Sequence, residues 1–102
     1  MTAAPMVSVV IPCRNEEAFI GACLASVAAG DFPKDRLELL VVDGMSDDGT
    51  RAIVAQRVAA DSTIRLLDNP DGTAPAALNI GIRSARGAII VRLDAHCIYP
   101  RN

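Results

Sequence analysis

Four short apolar segments alternate with three segments of helical periodicity along the chain. Strands that alternate with helices run parallel and are joined by right-handed crossovers. We therefore predict an α/β fold with a Rossmann-like, open, mostly parallel sheet, strand order 3-2-1-4, and helices on both faces. The predicted strands are residues 7–11, 37–42, 64–67 and 88–93.

The predicted strand order reverses between strands one and four. Open α/β sheets bind ligands at such a reversal, beyond the carboxyl ends of the strands. Pro12 follows strand one and Asp94 follows strand four, so both are expected to border one crevice. Asp43, at the end of strand two, lies one strand away.

The predicted helices do not cover the predicted sheet. Helices one and two are expected on one face, and helix three alone on the other. Strand two is apolar on both faces, as buried parallel strands are. We therefore expect a chain truncated at its C-terminus, whose bare face is covered by later residues, by a partner chain or by self-association.

Capping residues bound the three helical segments. Asn15 and Thr73 are suited to cap the first and third helices, and Ser46 or Asp47 the second. Gly30 is expected to end the first helix. The apolar stripe of the third helix is predicted to contain Leu78, Ile82 and Ala85.

Composition limits the class of protein. The 102 residues fit one domain, and 51% hydrophobic with 22% charged residues is typical of a globular chain. No apolar run approaches the ~20 residues of a membrane helix, and no signal peptide is recognised. The net charge of −2, with both signs interspersed, gives no basis for nucleic-acid binding.

The three cysteines, Cys13, Cys23 and Cys97, lack the spacing of a metal site. We expect reduced, buried thiols and a cytoplasmic protein. Cys13, near the first turn, could line a ligand pocket without taking part in chemistry.

Three polar segments follow strands and are candidates for binding. Asp43 could accept hydrogen bonds from a ligand, or from the backbone of its own turn. Asp94 and His96 could ligate one cation, or could be an aspartate that caps a loop and a histidine satisfied by backbone. Residues 69–73 could bring backbone N–H groups to an anion at the start of helix three, or form an ordinary turn.

Several well-known motifs are absent. Neither G-x-G-x-x-G nor G-x-x-x-x-G-K-[ST] follows strand one, which argues against a dinucleotide oxidoreductase and a P-loop NTPase. No G-x-S-x-G segment indicates a hydrolase nucleophile.

Four segments, in order, resemble the N-terminal half of family-2 glycosyltransferases, which have the GT-A fold. Residues 7–17 resemble the opening strand and its P-x-x-N-E-E turn, and residues 42–50 resemble V-D-D-G-S-x-D-G-T. Residues 77–81 resemble A-R-N-x-G, and residues 93–96 occupy the D-x-D position. The variants in the second and fourth segments resemble a bacterial exopolysaccharide-type branch.

The resemblance implies an inverting, metal-assisted transfer of a sugar from a nucleoside-diphosphate sugar, most often a UDP-sugar, to a hydroxyl of a saccharide or lipid-linked acceptor. Asp43 would bind the base, Asp94 would lie beside the ribose and diphosphate, and Asp94 with His96 would hold Mn²⁺ or Mg²⁺. The full protein could work at the cytoplasmic face of the inner membrane. The nucleotide-binding residues implied are Pro12, Arg14, Glu16, Asp43, Gly72, Thr73, Asp94 and Ala95.

The sequence departs from the family pattern at three places. His96 replaces the last aspartate of D-x-D, and Leu78 replaces the usual arginine, which removes one cation. The carboxylate base of the family lies beyond Asn102, so we expect no catalytic residue in this fragment and no transfer by the fragment alone. A non-catalytic nucleotide-binding module and a nucleotidyltransferase-like enzyme remain the alternatives.

Overall fold

A computed structural model of the chain describes residues 6–30 and 33–95. They form four strands, three α-helices and a 3₁₀ turn at Lys34–Arg36. The strands are β1 (Val7–Cys13), β2 (Leu37–Asp43), β3 (Ile64–Asp68) and β4 (Ile89–Arg92). The helices are α1 (Ile20–Ala28), α2 (Thr50–Ala60) and α3 (Ala74–Ser84).

The sheet has the predicted architecture. All strand pairs are parallel, and their order is β3-β2-β1-β4. Val7 of β1 is in register with Leu37 of β2 on one side and with Ile89 of β4 on the other. The reversal of strand order therefore lies between β1 and β4, and the carboxyl ends of these strands open into one crevice.

Strand β1 continues through Pro12 to Cys13, two residues further than predicted. The carbonyl of Val10 accepts a hydrogen bond from Leu93 N, so alternate residues of β1 direct their backbone groups toward β4. Pro12 is one of these residues, and β4 ends at Arg92, opposite Val10. The missing N–H of proline therefore costs no ladder hydrogen bond at this position.

Two apolar clusters lie on opposite faces of the sheet. Helices α1 and α2 cover one face, where the largest fully buried side chains are aliphatic. Helix α3 covers the other face, as predicted. The buried members on that side are Val10, Leu40, Val42 and Ala77.

The predicted stripe of α3 is wrong at Ile82, which is 52% exposed. Ala77 and Gly81 are the buried residues of the helix. A β-carbon built on Gly81 would lie only 2.5 Å from Cγ1 of Val10, so the helix approaches the sheet through a position without a side chain. Hydrophobicity alone does not reveal such a contact.

Two of the three predicted helix starts are also wrong. Helices α1 and α2 have no side-chain hydrogen bond at their N-caps, which are Phe19 and Gly49. The carboxylate of Asp48 accepts instead from Thr50 N at 2.9 Å. Thr73 caps α3 as predicted, accepting from Ala76 N at 3.4 Å.

The end of α1 differs by one residue from the prediction. Its C-cap is Ala29, and the N–H of Gly30 donates to the carbonyl of Val27 at 3.1 Å. Gly30 therefore follows the cap rather than forming it.

Three consecutive apolar residues of β4 are exposed. Ile89, Ile90 and Val91 are 51%, 43% and 37% exposed. Successive side chains of a strand point to opposite faces, so within residues 6–30 and 33–95 the apolar side chains of β4 are exposed on both faces of the sheet and not only on the α3 face. No helix among the described residues is both long and apolar enough to span a bilayer.

Candidate functional site

A crevice of about 240 Å³ lies at the carboxyl ends of β1, β3 and β4. Three chain segments form its walls: the turn after β1, the turn before α3 with the first turns of that helix, and the end of β4 with the residues beyond. Its lining residues are Pro12, Cys13, Arg14, Glu16, Asn69, Gly72, Thr73, Ala74, Ala77, Arg92, Leu93, Asp94 and Ala95.

Seven of the eight residues predicted to bind a nucleotide line this crevice. The eighth, Asp43, is not among the lining residues. His96 lies outside the described residues, so its predicted role as a metal ligand stays a prediction. The seven lining residues are Pro12, Arg14, Glu16, Gly72, Thr73, Asp94 and Ala95.

The turn after β1 is fastened to the turn after β2. Asn15 donates its N–H to Ser46 Oγ at 2.8 Å, and its own Oδ1 accepts from Asp47 N at 3.0 Å. Glu16 N donates to Thr50 Oγ1 at 2.8 Å. Asn15, Ser46 and Asp47, which were predicted as helix caps, therefore join two turns instead of capping helices.

Backbone geometry at Asn15 explains why an asparagine suits this turn. Asn15 has φ of 52°, a left-handed conformation that asparagine tolerates better than most residues. Its neighbours on either side, Arg14 and Glu16, both line the crevice. The fastened turn thus fixes the backbone of two crevice residues.

Asp43 is fully buried beside the crevice. Its Oδ1 accepts from Ser46 Oγ at 2.5 Å, and its Oδ2 accepts from Ser46 N at 2.9 Å and from Arg51 Nη1 at 2.8 Å. Burial raises the pKa of Asp43, but these hydrogen bonds outweigh it and hold the pKa below its usual value. In the structure both carboxylate oxygens are occupied by the protein.

Arg51 links Asp43 to the next strand. Its Nη2 lies 2.6 Å from Oδ1 of Asp68, the last residue of β3, while Nη1 binds Asp43. The backbone carbonyl of Asp43 also accepts from Asn69 N at 2.8 Å. The ends of β2 and β3 are therefore held together immediately behind the crevice.

Cys13 contributes a protonated thiol to the crevice wall. Its Sγ lies 3.5 Å from Oδ1 of Asp43. Burial and the charge of Asp43 raise the pKa of the thiol to about 12. Cys13 is therefore a lining residue and not a nucleophile at neutral pH.

Asn69 is a crevice residue whose side chain the sequence did not single out. Its Nδ2 donates to the carbonyl of Thr73 at 2.9 Å, which fixes the orientation of the amide because a carbonyl only accepts. Oδ1 is buried and has no hydrogen-bond partner among the described residues. An unpaired buried acceptor costs about 1–3 kcal/mol, so a ligand that donates a hydrogen bond here would be favoured. The position directly after β3 was its only signal.

The crevice holds charges of both signs. Its carboxylates are Glu16 and Asp94, and its cations are Arg14 and Arg92. A β-carbon built on Gly72 would lie 3.0 Å from Arg14 Nη1, so Arg14 lies against the turn before α3. Gly72 has φ of 81°, which favours glycine.

The place of Arg92 in the crevice was not predicted, because a charged residue at a strand end usually faces solvent.

The described residues offer part of a metal site. Asp94 supplies a carboxylate, a ligand that suits Mg²⁺ and Mn²⁺. Within residues 6–30 and 33–95, no cluster of three or more His, Cys, Asp or Glu side chains could hold a metal ion. A divalent cation at Asp94 would therefore need further ligands from elsewhere, and phosphate oxygens of a ligand are suitable.

Comparisons with known proteins identify a family whose profile the chain matches. The profile of the family described as Glycosyl transferase family 2 matches residues 8–102. The chain is 42% identical over 94 residues to Glycosyltransferase AglE of Haloferax volcanii, covering 91% of this chain and 31% of that protein.

Solved structures share the fold. The mannosyltransferase PcManGT from Pyrobaculum calidifontis, in complex with GDP-Man and Mn²⁺, superimposes with a TM-score of 0.85 and is 35% identical, covering 97% of this chain and 30% of that one. TarS of S. aureus, in complex with UDP, gives a TM-score of 0.81 and is 28% identical, covering 89% and 27%. The chain spans less than a third of the length of each of these proteins.

Proposed function

The chain belongs to glycosyl transferase family 2, and we propose that it forms the nucleotide-sugar-binding part of an enzyme that transfers a sugar from a UDP-sugar to an acceptor hydroxyl. One observation carries this proposal: seven residues assigned to the nucleotide from sequence meet in one crevice at the reversal of the sheet. Ligands of open α/β sheets bind at that point.

The small volume of the crevice supports a site that is completed by residues outside the described ranges. At about 240 Å³ it is below the ~300–1,000 Å³ of pockets that enclose a whole small ligand. We propose that the described walls hold the nucleotide, and that the sugar and the acceptor contact residues outside the described ranges.

The base is proposed to lie against the β1 and β3 side of the crevice. Pro12 and Cys13 form the wall there, and Asn69 offers an unpaired acceptor for an N–H of the base. The predicted contact between Asp43 and the base stays a prediction. Ser46 and Arg51 already donate hydrogen bonds to its buried carboxylate.

Mn²⁺ or Mg²⁺ is proposed to bind at Asp94, with His96 as a predicted second ligand. The complex of PcManGT with GDP-Man and Mn²⁺ supports this assignment. When bound, the cation would neutralise charge on the diphosphate leaving group. Asp94 itself lies where it can approach a ligand in the crevice.

The transfer is proposed to invert the configuration at the sugar. The acceptor oxygen forms a bond to the anomeric carbon while the bond from that carbon to the diphosphate oxygen breaks, and a carboxylate takes the hydroxyl proton. We propose that this carboxylate lies outside residues 6–95. Asp61 and Asp68 do not line the crevice and already bind Thr63 and Arg51, respectively.

The 102-residue chain is accordingly proposed to bind the donor without transferring the sugar. The full protein is proposed to act in the cytoplasm, or at the cytoplasmic face of the inner membrane, on a saccharide or lipid-linked acceptor in polysaccharide assembly. TarS of Staphylococcus aureus is a poly(ribitol-phosphate) beta-N-acetylglucosaminyltransferase, which supports a polymer acceptor.

Calorimetric titration tests the donor assignment. UDP, GDP and UDP-sugars are titrated into the protein with and without Mn²⁺, after circular dichroism and thermal unfolding show that it is folded. We expect UDP to bind, and Mn²⁺ to tighten the binding. A folded protein that binds none of these ligands with Mn²⁺ present would contradict the proposal.

A further inference from the structure

The carboxylates that line the crevice repel a diphosphate ligand. A nucleoside diphosphate brings at least two negative charges to walls that already carry Glu16 and Asp94. Cations in direct contact with the phosphate oxygens offset this repulsion and strengthen binding. Among the described residues that line the crevice, the cations are Arg14 and Arg92.

The two arginines lie on different sides of the crevice. Arg14 follows β1 and lies against Gly72, on the side of β3. Arg92 is the last residue of β4 and stands two residues before Asp94. Because β4 borders β1 on the side away from β2, Arg92 and Asp94 share the wall opposite Gly72.

The register of β4 places Arg92 on the face covered by α3. Arg92 pairs with Val10, and Val10 belongs to the apolar cluster under α3. Ala77, a small residue of α3, lines the crevice on the same face. Arg92 therefore lies on the α3 side of the sheet, where it is exposed and lines the crevice.

Helix α3 itself supplies no cation to this wall. Leu78 packs against the cluster that contains Val10 and Leu40. The basic residue of α3 is Arg83, in the last turn, and it is not among the residues that line the crevice. The family pattern usually has an arginine at position 78, and this chain has leucine there and an arginine on β4 that reaches the same crevice.

We propose that Arg92 binds the diphosphate of the donor and replaces the cation that the helix lacks. The proposal rests on the proposed nucleotide-sugar site. A guanidinium binds two phosphate oxygens at once, and it stays charged at every physiological pH. Arg92 would thus stabilise the charge of the leaving group from the side of β4.

The test compares Arg92→Gln with Arg83→Gln, which removes the same charge from an exposed helical position outside the crevice. UDP, inorganic pyrophosphate and uridine are titrated into each folded protein by calorimetry. Arg92→Gln should weaken the affinity for UDP and for pyrophosphate by about tenfold or more and leave the affinity for uridine unchanged. Arg83→Gln should change the affinity for UDP by less than about twofold. Arg92→Lys should recover part of the loss, because it restores the charge without the planar fork.

Three results would overturn the proposal. One is an equal effect of both glutamine substitutions on UDP. Another is an equal loss of UDP and uridine in Arg92→Gln, which would show that Arg92 only shapes the crevice. The third is wild-type protein that binds uridine but neither UDP nor pyrophosphate. Failure of the proposed function looks different, since folded wild-type protein would then bind none of the three compounds.

Discussion

Strand β2 carries a buried carboxylate at each end, and the two ends differ in what surrounds them. Glu38, at the amino end, accepts from Ser8 Oγ at 2.6 Å and from Arg86 N at 2.6 Å. Arg65 adds a longer ion pair of 3.3 Å. Asp43, at the carboxyl end, has a similar set of a serine and an arginine, but it lies next to the crevice.

The comparison shows that burial and charge pairing do not by themselves mark a functional site. Both carboxylates have a pKa held below the usual value by hydrogen bonds that outweigh burial. Glu38 lies at the opposite end of the strand from the crevice and ties the turn after α3 to the sheet. Asp43 holds the wall from which Asn69 and Cys13 face the crevice. Position relative to the sheet reversal distinguishes the two ends.

The largest expected effect is on stability, at the amino end. Glu38→Ala leaves the hydroxyl of Ser8 and the N–H of Arg86 without their buried acceptor, so we expect a loss of about 2–3 kcal/mol in the free energy of unfolding. Urea denaturation measures it. In the milder variant Glu38→Gln, UDP affinity should stay within about twofold of wild type. A larger loss of affinity in folded protein would show that the two ends are not separate.

Asp43→Asn should destabilise the protein less than Glu38→Ala, by about 1–2 kcal/mol, because Arg51 is partly exposed and keeps Asp68 as a partner. Unlike Glu38→Gln, it should also weaken UDP binding several-fold, since the crevice wall is attached to Asp43. Urea denaturation and calorimetry on the same sample separate the two effects. Unchanged UDP affinity would show that Asp43 neither binds the nucleotide nor supports the wall that does.

Acid should weaken both ends of β2. A carboxyl whose pKa is lowered by folding stabilises the protein above its unfolded pKa, and this contribution is lost as pH falls through the folded value. The ordinary values are 3.8 for Asp43 and 4.5 for Glu38, so the loss should occur below about pH 4.5. Urea denaturation between pH 7 and pH 3 measures it. The free energy of unfolding should depend less steeply on pH in Asp43→Asn and in Glu38→Gln than in the wild type. An unchanged dependence in both variants would contradict the claim that these two carboxylates cause the loss.

The last expected change is in the chemical reactivity of Cys13 and not in stability. Because its thiol pKa is about 12, a thiol-reactive disulfide reagent at pH 8 should modify Cys13 in the native protein far more slowly than in urea. Saturating UDP should slow the reaction further, because the residue lines the crevice. Rapid modification of Cys13 in native protein would show that the wall opens, and that Asp43 is more accessible than the structure indicates.

Sequence patterns predicted the order of elements because it follows from general rules. Alternating strand and helix periodicity requires parallel strands, and the handedness of crossovers leaves few orders. The same rules placed the turns after β1 and β4 at one crevice. The family resemblance then supplied most of the residues that line it.

Contacts between residues far apart in the sequence explain why some predictions were wrong and why some residues were not predicted. Asn15 and Ser46 have the chemistry of helix caps, but Asn15 N donates to Ser46 Oγ, 31 positions away in the sequence, and Ser46 Oγ donates to Asp43. Gly81 faces the core at a position where the side chain of Val10 leaves no room for a β-carbon. Asn69 and Arg92 are ordinary residues at strand ends until the strand order brings them to the same cavity.

Nuclear magnetic resonance with UDP and Mg²⁺ tests the difference between the two ends most directly. Backbone amide shifts of an isotope-labelled sample are followed as UDP is added. We expect shifts around Arg14, Gly72 and Asp94, and none around Glu38 and Arg86. Shifts centred on the Glu38 end, or no shifts at saturating UDP, would contradict the claim that the crevice at the sheet reversal binds the nucleotide.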